Sequence, residues 1–181
     1  MSTLRNRTLA LVATGAASAV LAGFSATPAA ATIDSGRYKV TISLNYVVTD
    51  DDGDGVSNPT VSGSYKRDVN VGPFYPVDWE PLGKTACAGG EVWAQLQERV
   101  AIYDSRNPDG AHRPNQVRVD LGTVLYEGAS CSTGDSDGYG YRTFYVDAGT
   151  DTYGTFNVYN TEEGSSDKIK VAYRITNSKV G

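Results

Sequence analysis

Tyr38-Lys39-Val40-Thr41-Ile42-Ser43-Leu44-Asn45-Tyr46-Val47-Val48 alternates apolar and polar residues through almost its whole length. Tyr38, Val40, Ile42, Leu44, Tyr46 and Val48 fall on one side of an extended chain; Lys39, Thr41, Ser43 and Asn45, with Arg37 before them, fall on the other. Successive side chains of a strand point to opposite faces, so a period of two predicts a strand with one face in a core and one in water. The same period recurs at about 60–71, 116–126, 138–147, 152–160 and 167–177, with Gly, Asp, Asn, Ser and Pro clusters between the runs, as turns require. Residues 92–104 are ambiguous. Ala94, Leu96, Glu98 and Arg99 are good helix formers, whereas Val92, Leu96, Val100 and Ile102 fit alternation, and we read a strand. Gly122 interrupts the alternation of its own run and predicts a bulge.

About seven short strands joined by turns predict an all-β fold, an antiparallel β-sandwich of Ig-like or C2-like shape. Cys87 and Cys131 are the only cysteines, and we expect one disulfide between them. If successive strands run up and down, the connections holding Cys87 (between the second and third strands) and Cys131 (between the fourth and fifth) emerge at one end. By the same parity, the loops at 50–59, 105–115 and 148–151 share the opposite end.

The N-terminus reads as a signal peptide over residues 1–31. Arg5 and Arg7 precede an uncharged apolar run from Leu9 to Phe24, and Ala29-Ala30-Ala31 offers a small-x-small cleavage site. The expected mature chain, residues 32–181, is a single domain secreted to the extracellular space, where thiols oxidise. No later stretch is apolar enough to span a bilayer as a helix, so an integral membrane protein is not expected. Loss of the leader leaves 14 basic residues against 21 acidic, a formal charge of −7. Such a balance argues against nucleic acid as a partner.

One loop carries a metal-like motif. Asp50-Asp51-Asp52-Gly53-Asp54-Gly55 places Asp50, Asp52 and Asp54 at the first, third and fifth positions of an EF-hand-type calcium loop, with Gly55 at the sixth. Val56 would add a carbonyl and Asn58 a further ligand, but Val61 stands where a bidentate carboxylate belongs. Asp104, Asp109, Asp147 and Asp151 are expected near the same end and would complete the shell, as at the calcium-binding tips of C2 domains. Ca2+ is therefore the one cofactor the sequence suggests. The alternative is a solvated hairpin with Asp-Gly turn chemistry.

Twelve tyrosines are unevenly placed. In 138–147 Tyr139, Tyr141 and Tyr145 share one face with Thr143, and in 152–160 Tyr153 and Tyr159 accompany Thr155 and Asn157. Two neighbouring strands would thus present one tyrosine plate, suited to a protein interface or to sugar stacking; ordinary cross-strand pairs are the alternative. Phe74, Tyr75 and Trp79 lie in a stretch whose prolines, Pro73, Pro76 and Pro81, argue against strand pairing, so it reads as an exposed aromatic loop or a lid on the core.

Catalytic readings find little support. His112 is the only histidine, and no Gly-x-Ser-x-Gly elbow occurs, since the nearest match around Ser130 has Ser132 where Gly is required. Glu98 and Glu127 fall on unlike parities and are not expected to face one another across a glycosidase cleft; for Glu98 we expect a bulge that returns it to solvent, the alternative being a buried, hydrogen-bonded carboxylate. A non-enzymatic protein that docks onto other secreted proteins is the expected function. The alternative is a carbohydrate- or membrane-surface-binding module, calcium-dependent or acting through an aromatic face.

The Ala29-Ala30-Ala31 leader end, the single Cys87 and Cys131 pair and the missing active site together resemble the small secreted adaptor subunit of bacterial umbrella toxin particles. The resemblance covers the layout of the whole chain and no diagnostic motif. It implies an assembly role, linking a large scaffold subunit to a lectin subunit, with proteins as partners. It assigns no residue a role and does not account for the acidic loop at Asp50.

Overall fold

A computed structural model describes residues 36–51, 58–72, 78–102, 115–161 and 166–180. Of the two compact units into which the chain divides, residues 1–30 lie wholly outside that description and residues 31–181 hold every strand. The strands are β1 (Tyr38–Thr49), β2 (Thr60–Val71), β3 (Glu80–Lys84), β4 (Trp93–Ile102), β5 (Gln116–Ser130), β6 (Thr133–Asp147), β7 (Asp151–Tyr159) and β8 (Lys168–Lys179). They form two antiparallel sheets, ordered β2-β1-β8-β7 and β3-β4-β5-β6, packed as a sandwich.

The alternation of β1 is realised residue by residue. Tyr38, Val40, Ile42 and Val48 are fully buried, and Leu44 and Tyr46 nearly so. β1 is paired along both sides, to β2 and β8, which places its apolar face at the middle of the core. Leu96, Val119, Leu121 and Leu125 meet it from the facing sheet, and Ile169, Val171 and Ile175 extend it within its own. Residues 93–102 are strand, because Ala94, Leu96 and Val100 bury on the period of two.

An eighth strand corrects the count. β3 contains Pro81, yet it pairs with β4 because it is an edge strand with a register shift between Pro81 and Gly83, where the missing N–H goes unused. The extra strand inverts the parity between the first hairpin and the cysteines. The 50–59 connection therefore lies at the disulfide end, not opposite it: Asp50 packs against Gly89, two residues beyond Cys87, and the Asp51 N–H donates to Asp167 Oδ1 at 2.6 Å. Cys87 and Cys131 are bridged with Cα atoms 5.7 Å apart, joining the β3–β4 connection to the β5–β6 turn. At the other end the Ala148 and Gly149 N–H groups donate to Asn115 and Asn177 carbonyls.

Gly122 is no bulge. It keeps register with Gln97 and Tyr141, and the shifts in β5 fall later, between Leu125 and Tyr126 and between Glu127 and Ser130.

Glu98 does not return to solvent; it is 1% exposed on the inner face of β4. No bulge occurs there, and the side chain is met by Arg67 of β2, whose Nε lies 3.1 Å from Oε1. The approach is coulombic: the N–H is misaligned, and neither Glu98 oxygen accepts a hydrogen bond among the described residues. Burial pushes the Glu98 carboxyl up to about 6, with Arg67 pulling it down and its cross-strand neighbour Glu80 adding repulsion. The folded state thus holds this proton more tightly than the unfolded chain does, so stability is lost as pH rises from about 4.5 to about 6. Relative to wild type, Glu98→Gln is expected to gain about 2 kcal/mol between pH 4 and pH 7. Denaturant melts of both proteins at the two pH values check this; a pH-independent difference would refute it.

Candidate functional site

The outer face of β3-β4-β5-β6 carries a grouping of large side chains outside the core. Cross-strand register sets them in rows: Trp93 beside Tyr126, then Gln95, Val124 and Tyr139, then Gln97, Gly122 and Tyr141, then Arg99, Asp120 and Thr143, then Arg118 beside Tyr145. Trp79, just before β3, reaches across the sheet to Gly122. A Cβ at Gly122 would lie 2.9 Å from the indole, so the absence of a side chain here makes a seat for Trp79. The Arg99 guanidinium sits 5.2 Å from the Trp79 ring, a cation–π contact.

Asp120 organises the cations. It is 1% exposed although it belongs to the outer face, because the side chains around it cover it. Its Oδ2 accepts from Arg99 Nε at 2.7 Å, with Nη2 of the same guanidinium also at 2.7 Å. Its Oδ1 accepts from Arg118 Nε at 3.1 Å and from the Thr143 hydroxyl at 2.6 Å. Two guanidinium groups on one carboxylate leave a net positive charge, held in fixed geometry. Trp93 is already engaged: it stacks on Tyr126 with centroids 4.1 Å apart and carries the Lys84 ammonium 3.6 Å from its ring. Lys84 Nζ also donates to the Cys131 carbonyl, which ties this corner to the disulfide turn.

The expected single tyrosine plate is divided. All five of its tyrosines are exposed, but β6 and β7 belong to different sheets. Tyr139, Tyr141 and Tyr145 stand on the face just described, whereas Tyr153 and Tyr159 stand on the outer face of the opposite sheet. The chain passes between sheets through the short turn after Asp147, so sequence neighbours turn away from one another. Phe74 and Tyr75 lie outside the described residues; Trp79 is half-buried on the sheet face.

Of the acidic loop, Asp52, Asp54 and Val56 lie outside the described residues, and Asn58 is exposed. Asp50 is buried, and its carboxylate fills the space that a side chain at Gly89, with φ of 58°, would need. Asp147 and Asp151 belong to the opposite end, since Asp147 flanks the turn bonded to Asn115 and Asn177, and so they do not complete a shell around Asp50. Asp104 and Asp109 are outside the described residues. Among the described residues no three His, Cys, Asp or Glu side chains are grouped to hold a metal.

Arg99, Arg118 and Asp120 were missed by sequence reading. Their polar parity was visible, but only the pairing of β4 to β5 puts Arg99 opposite Asp120. Compared with known proteins, the chain matches no family model, and no curated protein or solved structure resembles it at a significant level.

Proposed function

We propose that this chain is a secreted, non-catalytic docking subunit that binds an acidic surface of another secreted protein through the outer face of β3-β4-β5-β6. The carrying observation is the convergence of Trp79, Tyr139, Tyr141, Arg99 and Arg118 around Gly122 and Asp120. Trp, Tyr and Arg are the residues that dominate binding energy at protein interfaces, and they do so best when held in place before binding. Arg99, Arg118 and Lys84 supply an excess of positive charge on a chain of formal charge −5, which favours an acidic partner surface. The leader with Arg5 and Arg7 and the Cys87–Cys131 bridge support export. Assembly into a toxin particle, as the umbrella adaptor layout suggests, is one setting for such a subunit.

The tagged chain, expressed in its native host and recovered from culture supernatant, is expected to bring a defined protein partner with it. Tyr141→Ala is expected to weaken that complex about 30-fold, the effect of one central hot-spot residue. Recovery of a clean monomer, or wild-type affinity in both the Tyr141→Ala and the Tyr139→Ala variant, would refute the proposal.

A further inference from the structure

The opposite face of the sandwich has a different chemistry. Register across β2-β1-β8-β7 sets four rows: Lys66-Ser43-Arg174-Tyr153, Ser64-Asn45-Ala172-Thr155, Ser62-Val47-Lys170-Asn157 and Thr60-Thr49-Lys168-Tyr159. The two middle rows are mostly small side chains. Between them lies a shallow cavity of about 450 Å³, with Asn45, Ser62, Ser64 and Lys170 among its lining residues and Tyr46, Val47 and Ala172 supplying its apolar part. The outer rows form rims, roughly 20 Å apart at the rise of an extended strand. Tyr153, 76% exposed, and Tyr159, 55% exposed, stand at the β7 end of the two rims. The Tyr159 hydroxyl accepts from Asn157 Nδ2 at 3.2 Å, which orients that ring.

Outward positions of these four strands carry Lys39, Lys66, Lys168, Lys170 and Arg174 against Asp68 and Asp151, a net of +3. Lys39 pairs with Asp68 and Arg174 with Asp151, each at 2.9 Å. Lys66, Lys168 and Lys170, on and between the rims, form no ion pair among the described residues. A face of this sign on a chain of net charge −5 selects an anionic ligand.

We propose that this trough binds an anionic polysaccharide. Hydroxyl and amide groups of Ser43, Asn45, Ser62, Ser64, Thr155 and Asn157 offer donors and acceptors to sugar hydroxyls. The lysines meet carboxylate or phosphate groups, and the two tyrosines present rigid rings with polar tips. A protein partner fits less well, because Val47 is the one large aliphatic side chain exposed within the trough, no Trp accompanies it, and Arg174, the arginine of the rim, is exposed rather than packed among aromatic rings. The site is separate from the aromatic face of the other sheet and stands or falls independently of it.

Calorimetry of the full chain with polygalacturonate, which supplies carboxylates, and with a phosphomannan, which supplies phosphates, tests the proposal and separates the two sources. Binding to at least one is expected at low salt, weakening about tenfold at physiological salt as screening requires, with none to neutral mannan. Lys170→Ser is expected to weaken binding about fivefold and Tyr153→Ala with Tyr159→Ala about tenfold, while Arg142→Ser, an exposed cation on β6, has no effect. These positions are exposed, and unchanged melting temperatures confirm that each variant folds. Three results would overturn the proposal: no binding to either polymer, equal binding to poly-glutamate, or an Arg142→Ser effect as large as that of Lys170→Ser.

Discussion

Replacing Cys87 and Cys131 together by serine is expected to cost about 4 kcal/mol of unfolding free energy, the largest effect of any change discussed for this chain. The bridge spans a sequence separation of 44, so the chain entropy it removes from the unfolded ensemble is large. Its place in the native fold adds a local consequence. Cys131 sits at the tip of the long β5–β6 hairpin, whose outer part, beyond Glu127, pairs in shifted register and holds no buried residue as far as Ser136. There the Glu127 N–H donates to Asp137 Oδ2 at 2.7 Å, and the Asp137 carbonyl accepts from Thr161 N–H and hydroxyl. These contacts, and the Lys84 hydrogen bond to the residue 131 carbonyl, remain when the bridge is opened, but the covalent link to the β3–β4 connection does not. Amide exchange in the double variant is therefore expected to speed up first at 127–136 and only later in β1. Chemical unfolding measures the global loss; a loss under about 1 kcal/mol, or exchange that rises evenly along the chain, would contradict this account.

Most of the fold was legible because burial in a sandwich follows a period of two. β1 declares itself by its own residues, and even the helix-forming Ala94, Leu96 and Glu98 could not override the alternation of β4. What escaped was settled by pairing between distant segments. β3 was hidden by Pro81, whose exclusion from sheets holds for central strands and lapses at an edge. That single omission displaced the acidic loop from the disulfide end and grouped Asp50 with Asp147 and Asp151, from which it is separated by the length of the sandwich. Gly122 was read as a local backbone feature, whereas the reason for glycine is a distant indole, Trp79. The tyrosines were rightly placed on outward parities, but parity alone does not tell one outer face from the other; that required knowing that the chain changes sheets after Asp147.

Asp120→Ala is expected to cost about 3 kcal/mol, because it leaves Arg99 and Arg118 without the carboxylate that neutralises them. Both guanidinium groups retain access to water, with side-chain exposures of 34% and 22%, which keeps the loss at the lower end for a covered ion pair. Asp120→Asn preserves the shape and still accepts from Thr143 through its amide oxygen, and is expected to cost about 1–2 kcal/mol. The two variants separate stability from docking. In Asp120→Asn the fold persists, but the arginines become mobile and must be ordered again on binding. Each such side chain adds about 0.5–1.5 kcal/mol, so affinity for an acidic protein partner is expected to fall about tenfold. Affinity of the trough on the other sheet for an anionic polysaccharide is expected to stay unchanged, since Asp120 is on the opposite face. Thermal melts and partner titration of the Asn variant test both expectations. Full partner affinity with weakened stability would reduce Asp120 to a structural role and show that its ordering of the arginine pair contributes nothing to docking.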